Sequence, residues 1–181
     1  EGTYLISDTL RYRHKDLVNT YRSEMNQQIR IRGAGADCTV IRLKDNSAGF
    51  GAGAGKAVVS YMAADQTNVA TSNYCEGLTI NCGSGNAGAV GLDFFANNSG
   101  AVRNVRIVSE DGSGFAGLQL GHSNYSGVLI KHVEVEGFDH GLHIDSGTGG
   151  MFAHVEDVKT RGQRVSGITV GRSEERRVGK E

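Results

Sequence analysis

Between Val90 and Gly171 the chain repeats one short apolar–polar–apolar pattern four times. It reads GLDF at 91–94, GLQL at 117–120, GLHI at 141–144 and GITV at 167–170, with 26, 24 and 26 residues between the leading glycines. Side chains alternate across a strand, so Leu92, Leu118, Leu142 and Ile168 share a face with Phe94, Leu120, Ile144 and Val170. The rank between them, Asp93, Gln119, His143 and Thr169, faces the other way and is polar in every copy. A second series runs out of phase: GLTI at 77–80, NVRI at 104–107, HVEV at 132–135 and HVED at 154–157, at intervals of 27, 28 and 22 residues. Its apolar ranks are Leu78, Val105, Val133, Val155 and Ile80, Ile107, Val135, with Val158 closing the last copy after a one-residue irregularity. Its outward rank is Thr79, Arg106, Glu134, Glu156.

Two short strands in each unit of roughly 25 residues cannot bury an apolar face alone, so the units must stack. The shared register makes the strands parallel, about 4.8 Å apart. A leucine-rich horseshoe has a similar period but needs a leucine-dense consensus and usually a helix, and neither is present. The pattern therefore predicts an all-β chain, a parallel β-helix with coils of about 25 residues.

Upstream, residues 2–7, 29–35, 39–43 and 57–62 read as strands, and residues 8–27 as a polar loop or solvated flank. The stretch FGAGAGK at 50–56 departs from a phosphate loop, because Ala57 stands where serine or threonine is required, and reads as a loop.

Composition sharpens this picture in four ways. The 181 residues include 27 glycines and neither proline nor tryptophan, which suits a fold with a tight corner at each coil. The formal charge is −1 without a basic block in the repeats, which argues against nucleic acid as the partner. No apolar run approaches the ~18 residues of a membrane span. Cys38, Cys75 and Cys82 lack metal-site spacing and are expected to be buried thiols.

The end of the chain breaks the pattern. RSEERRVGKE at 172–181 reads as the in-frame translation of a widely used sequencing-library adapter, to be set aside as a fusion scar would be. It carries four basic and three acidic residues, so residues 1–171 carry −2. With Glu1 in place of an initiator methionine, the expectation is a β-helix domain over 1–171, a fragment truncated at both ends.

The stretches GTYLIS at 2–7, IRIRGAGADCTVIRL at 29–43, EGLTINCGSGNAGAVGLDF at 76–94 and SGAVRNVRI at 99–107 resemble the pectate-lyase-like superfamily. The similarity is to the branch that joins rhamnogalacturonase/epimerase-like and exo-glucanase-like domains. That family opens with a proline-glycine-x-tyrosine strand followed by a G-x-G-x-x-[ST]-x-[IL] turn. Gly33, Gly35, Thr39 and Ile41 sit near the turn pattern with one extra residue, and the proline is missing. The resemblance implies a right-handed parallel β-helix and a secreted or extracellular protein whose partner is polysaccharide. The expectation is the N-terminal portion of a glycoside hydrolase, with a lyase, an epimerase and a non-catalytic binding or structural β-helix of the tailspike or adhesin kind left open. It implies no cofactor, and calcium only if the chain is a lyase. Of the polygalacturonase-type signatures on consecutive coils (N-x-D, D-D, H-G, R-x-K), D-D is absent, R-x-K is not in place, and His140-Gly141 stands alone. Oligomeric state is left open.

Glycoside hydrolysis needs two carboxyl groups about 5–5.5 Å or 6.5–9.5 Å apart. Neighbouring coils at about 4.8 Å and alternate coils at about 9.6 Å supply either geometry. The candidate catalytic residues are therefore Asp93, His143 and Asp145, the last sharing the His143 face if that strand continues. Gln119, His122 and Tyr125 are candidate substrate-binding residues. A solvated polar ladder would give the same pattern. Arg106 beside Glu134 reads as an exposed ion pair. His132 above His154 reads as a stacked ladder without a third metal ligand. Asp139-His140 reads as a turn, and Phe138 as corner packing.

Overall fold

The structure is a computed structural model that describes residues 1–11, 28–61, 71–121, 127–144 and 153–171. Thirteen strands and no helix occur among those residues. The first five are β1 Gly2–Ile6, β2 Leu10–Arg11, β3 Arg30–Arg32, β4 Thr39–Leu43 and β5 Lys56–Ser60. The repeats follow as β6 Thr71–Asn81, β7 Ala89–Asp93, β8 Asn97–Val108, β9 Ala116–Leu120, β10 Val128–Glu136, β11 His140–Ile144, β12 Ala153–Arg161 and β13 Ser166–Val170.

The strands form two parallel sheets. The first runs β1–β4–β6–β8–β10–β12, with β3 also on β6, and the second runs β2–β5–β7–β9–β11–β13. From β4 onward, consecutive strands go to alternate sheets, so each successive pair adds one rung to both. The register of the second sheet matches the sequence expectation: Leu92 pairs with Leu118, Leu118 with Leu142 and Leu142 with Ile168. Between the sheets lie Leu43, Ile80, Leu92, Phe94, Ile107, Leu118, Leu120, Val133 and Leu142, all removed from solvent. Burial fades toward the last rung, where Val155, Ile168 and Val170, expected in inward ranks, remain 43–52% exposed.

The glycine opening each GLxL copy is selected by close approach. A Cβ on Gly91 would overlap the Ile107 Cγ2 methyl from the opposite sheet and lie 2.7 Å from the Gly117 carbonyl oxygen. Gly117 stands in the same relation to Val135, and Gly141 to Thr160. The chain bends inward here. Ala57, Val90, Ala116 and His140 pair as one row, Val59, Leu92, Leu118 and Leu142 as another, and the residue between is skipped in each pairing.

Four strands of the first sheet, β6, β8, β10 and β12, are longer than the sequence pattern suggests and bend at a shared position. Gly77, Asn104, His132 and Asp157 have φ of 65°, 53°, 53° and 50°, the left-handed region. They occupy one column, flanked on one side by Glu76–Arg103–Lys131–Glu156 and on the other by Leu78–Val105–Val133–Val158. Asparagine, aspartate and histidine tolerate this conformation better than other side-chain-bearing residues, and glycine best of all.

This bend corrects the expected register of the fourth copy. Val158, not Val155, pairs with Val133, and Val155 pairs with Ile130. The outward row is therefore Thr79–Arg106–Glu134–Lys159, with Glu156 moved to the row of Lys131. His154 lies opposite Leu129, so it does not stack on His132. A strict two-residue alternation cannot survive a left-handed residue, which turns two consecutive side chains to one face.

Other expectations divide. Lys56 of the glycine-rich loop is tied down, with its Nζ 2.6 Å from Asp8 Oδ1 and 4.5 Å from the centre of the Phe50 ring. Phe138 is buried at a corner. His140 is the first residue of β11 and not a turn residue. Cys75 and Cys82 are buried free thiols, whereas Cys38 is exposed, contrary to expectation, because it lies in the β3–β4 connection outside both sheets.

Candidate functional site

The second sheet carries the predicted polar column. Asp93 pairs with Gln119, Gln119 with His143 and His143 with Thr169; Ser60 extends the column beyond Asp93. All of these side chains are half-buried on the outer face while Leu92, Leu118 and Leu142 beside them are fully buried. Parallel pairing therefore sets Asp93 about 4.8 Å from the Gln119 level and about 9.6 Å from that of His143. Asp145, His122 and Tyr125 lie outside the described residues.

Three residues join this column that the sequence pattern did not put there. Because the bend at Gly141 turns Gly141 and Leu142 both inward, His140 and His143 emerge on the same outer face, three residues apart. Their ring centres are 5.1 Å apart. Phe115, just before β9, packs edge-on against both, 5.4 Å from His140 and 5.2 Å from His143. His140 Nδ1 is 2.9 Å from Ser166 Oγ and 3.0 Å from Thr169 Oγ1, and these two hydroxyls also bond to each other. The result is a strip with a carboxylate at one end, an amide in the middle, and two imidazoles, a phenyl ring and two hydroxyls at the other. Such a set can donate to and accept from hydroxyl groups and pack a ring against an apolar sugar face. The H-x-x-H spacing around a bend glycine was the available signal, hidden because alternation alone turns His140 inward.

The first sheet carries a second concavity, of about 250 Å³, across β8, β10 and β12. Its walls are Asn104, Arg106, His132, Glu134, Asp157 and Lys159, with Ala36 and Asp37 closing one end. The side chains pair among themselves. His132 Nε2 is 3.6 Å from Asp157 Oδ2, Lys159 Nζ is 3.5 Å from Glu134 Oε1, and Arg106 reaches Glu136 at 2.9 Å. Glu134 is thus opposite Arg106 in register, as expected, but ion-paired with Lys159. A larger cavity of about 850 Å³ at the β1 end is lined mostly by apolar groups, including Tyr4, Leu5, Ile31 and Ile41, and it gathers no reactive set.

The remaining tight polar clusters hold corners. Arg42 grips Glu110 with two hydrogen bonds, at 3.0 and 2.8 Å, while Asn81 donates to the same carboxylate at 2.8 Å. Those bonds, from Arg42 first and Asn81 second, hold the Glu110 carboxyl below the usual glutamate range. Burial alone would raise Asp111, but the N–H groups of Gly85 and Ser113 and the hydroxyls of Ser113 and Ser109 hold it well below the carboxylate range. Both carboxylates are saturated by neighbours that fix turns, so neither is offered to a substrate.

No family model matches the chain, and neither a curated protein nor a solved structure is found to be similar to it.

Proposed function

We propose that the chain is a right-handed parallel β-helix that acts on polysaccharide as an extracellular glycoside hydrolase, using the outer face of the β7–β9–β11–β13 sheet. The observation that carries this reading is the single in-register column Asp93–Gln119–His143–Thr169. The alternation of strands between two parallel sheets supports the β-helix. In this reading Asp93 and His143 exchange protons at the scissile bond, two rungs apart, and Asp145 supplies the second carboxyl group. Gln119, His122 and Tyr125 hold sugar hydroxyls and ring faces. A lyase reading would add calcium.

One observation favours a second reading, a non-catalytic carbohydrate-binding module. The column from Ser60 to Thr169 contains one carboxylate, Asp93, where hydrolysis requires two.

Reducing-end release from β-glucan and pectin, measured beside affinity electrophoresis on the same polymers, separates the readings. A hydrolase releases product, and Asp93→Asn lowers the rate by about 100-fold or more while retardation persists. A binding module is retarded without release, and Gln119→Ala or His143→Ala weakens the retardation. Neither release nor retardation by any of these polymers overturns both.

A further inference from the structure

The concavity on the first sheet lies away from the strip on the second and has one constructed end. Its end wall is built rather than incidental. The loop between β3 and β4 is pinned over β6 by the hydrogen bond from Thr79 Oγ1 to the Ala36 carbonyl at 2.7 Å. Backbone bonds from Gly33 to Glu76 and from Gly35 to Gly77, at 2.9 and 2.8 Å, hold the loop's base. This is why the left-handed column begins with glycine. A Cβ on Gly77 would lie 3.1 Å from the Gly33 carbonyl oxygen. Beyond the loop the space opens, and the same column carries side chains, Asn104, His132 and Asp157, at φ of 53°, 53° and 50°. Glycine would serve these three backbone positions with less strain. Instead they place an amide, an imidazole and a carboxylate in a row along the floor, with His132 Nδ1 3.3 Å from Asn104 Oδ1 and His132 Nε2 3.6 Å from Asp157.

The charges decide what such a floor and its walls accept. Asp37, Glu134 and Asp157 share the lining with Arg106, which reaches Glu136 outside it, and with Lys159, and the two signs interleave. A polyanion would meet Glu134 and Asp157, and a cation would meet Arg106 and Lys159. Lys159 and Glu134 already hold each other, as do His132 and Asp157, which leaves none of these four as a lone charge for a ligand. What the walls offer is a dense alternation of donors and acceptors, about half-exposed and fixed on strands.

We infer that this concavity binds a neutral polyhydroxylated chain, a glycan segment without uronic acids, as a site distinct from the strip on the other sheet. The inference rests on the polysaccharide reading for the class of ligand but not on the strip's residues. With no aromatic platform among the lining residues, binding is weak, in about the millimolar range.

Side-chain NMR of His132 and Asn104 tests this, with laminarihexaose and xylohexaose as neutral probes and trigalacturonate as the anionic one. The expected result is saturable shifts of both residues with a neutral probe, and at least about ten-fold weaker binding of trigalacturonate. The double variant His132→Gly/Asp157→Gly removes the floor side chains while suiting the left-handed backbone. It is expected to fold at least as stably and to lose the neutral-probe shift at Asn104. Absence of shifts with both neutral probes overturns the inference, as does their persistence in the glycine variant or equal binding of trigalacturonate. The Gln119→Ala/His143→Ala variant separates the two sites. Loss of polymer retardation with His132 shifts intact leaves the concavity standing alone. Polymer retardation with unmoved His132 sinks the concavity and spares the strip.

Discussion

Gly91 and Ile107 touch across the core so closely that a single added carbon on Gly91 would overlap the Ile107 Cγ2 methyl. Both lie in rungs flanked by others, and both are buried. Gly91→Ala must therefore displace the Ile107 side chain or the Gly117 backbone. A loss of about 1–3 kcal/mol is expected, read as a lower urea midpoint at an unchanged slope. The pair Gly91→Ala/Ile107→Val is expected to recover little, since valine keeps both γ carbons and loses only Cδ1, which is not the carbon in conflict.

Asn86 is a buried amide with every strong bond satisfied inside the fold. Its Nδ2 donates to the carbonyls of Lys44 at 2.9 Å and Cys82 at 2.8 Å, and its Oδ1 accepts from the Ser47 N–H at 2.8 Å. It ties the turn after β4 to the turn after β6. Asn86→Ala takes this partner from the Ser47 N–H and the Cys82 carbonyl and leaves the Lys44 carbonyl with the Ser47 hydroxyl, and about 2–3 kcal/mol of destabilisation is expected in equilibrium unfolding. Asn86→Asp should also destabilise, because a carboxylate cannot donate to two carbonyls.

The thiols should separate by location. Burial pushes the Cys75 thiol up to about 12 and Cys82 higher still, while Cys38 is exposed. A thiol-reactive chromophore at pH 8 should titrate one cysteine in the native protein and three in denaturant. Rapid reaction of all three without denaturant would show that the core is open.

Acid should weaken the corner held by Arg42 and Glu110. The folded carboxyl has the lower proton affinity, so the pair stabilises the fold above the ordinary glutamate range. That contribution fades as pH falls through the lowered folded value. The groups are partly exposed, so the effect is at most about 1 kcal/mol. Glu110→Gln should cost stability at pH 7 and little at pH 3, giving a flatter stability profile between those limits than the parent chain.

The rungs of the second sheet were legible because their alternation is unbroken from Leu92 to Phe94, from Leu118 to Leu120 and from Leu142 to Ile144. The reason for their leading glycines is not visible in the sequence, since Ile107, Val135 and Thr160 press on them from the opposite sheet. In the first sheet the same logic misplaced Val155 and Glu156. Pattern matching joined HVED to HVEV, whereas the fold aligns Asp157 with His132. The better guide was the series of left-handed-tolerant residues Gly77, Asn104, His132 and Asp157, whose spacings of 27, 28 and 25 are more even than the 27, 28 and 22 of the apolar match. Asp93, Gln119 and His143 could be aligned because they sit between buried neighbours. His140 could not, because its placement depends on the bend at Gly141, and Phe115 could not, because it stands before β9 and outside the alternation.

The delivery of strands to the two sheets in alternation also governs the order in which the chain assembles. From β8 to β13 each strand bonds, among the described residues, only to the one a rung earlier and, where there is one, the one a rung later, some 25 residues away along the chain. Closure of loops this short is rapid, and no step requires distant ends to meet. The middle rungs, where Leu92, Ile107 and Leu118 are already dry, are the natural place for structure to begin and then spread in both directions. Amide exchange should accordingly be slowest from β7 to β9 and fastest in β12 and β13, with a graded profile between them instead of one common rate.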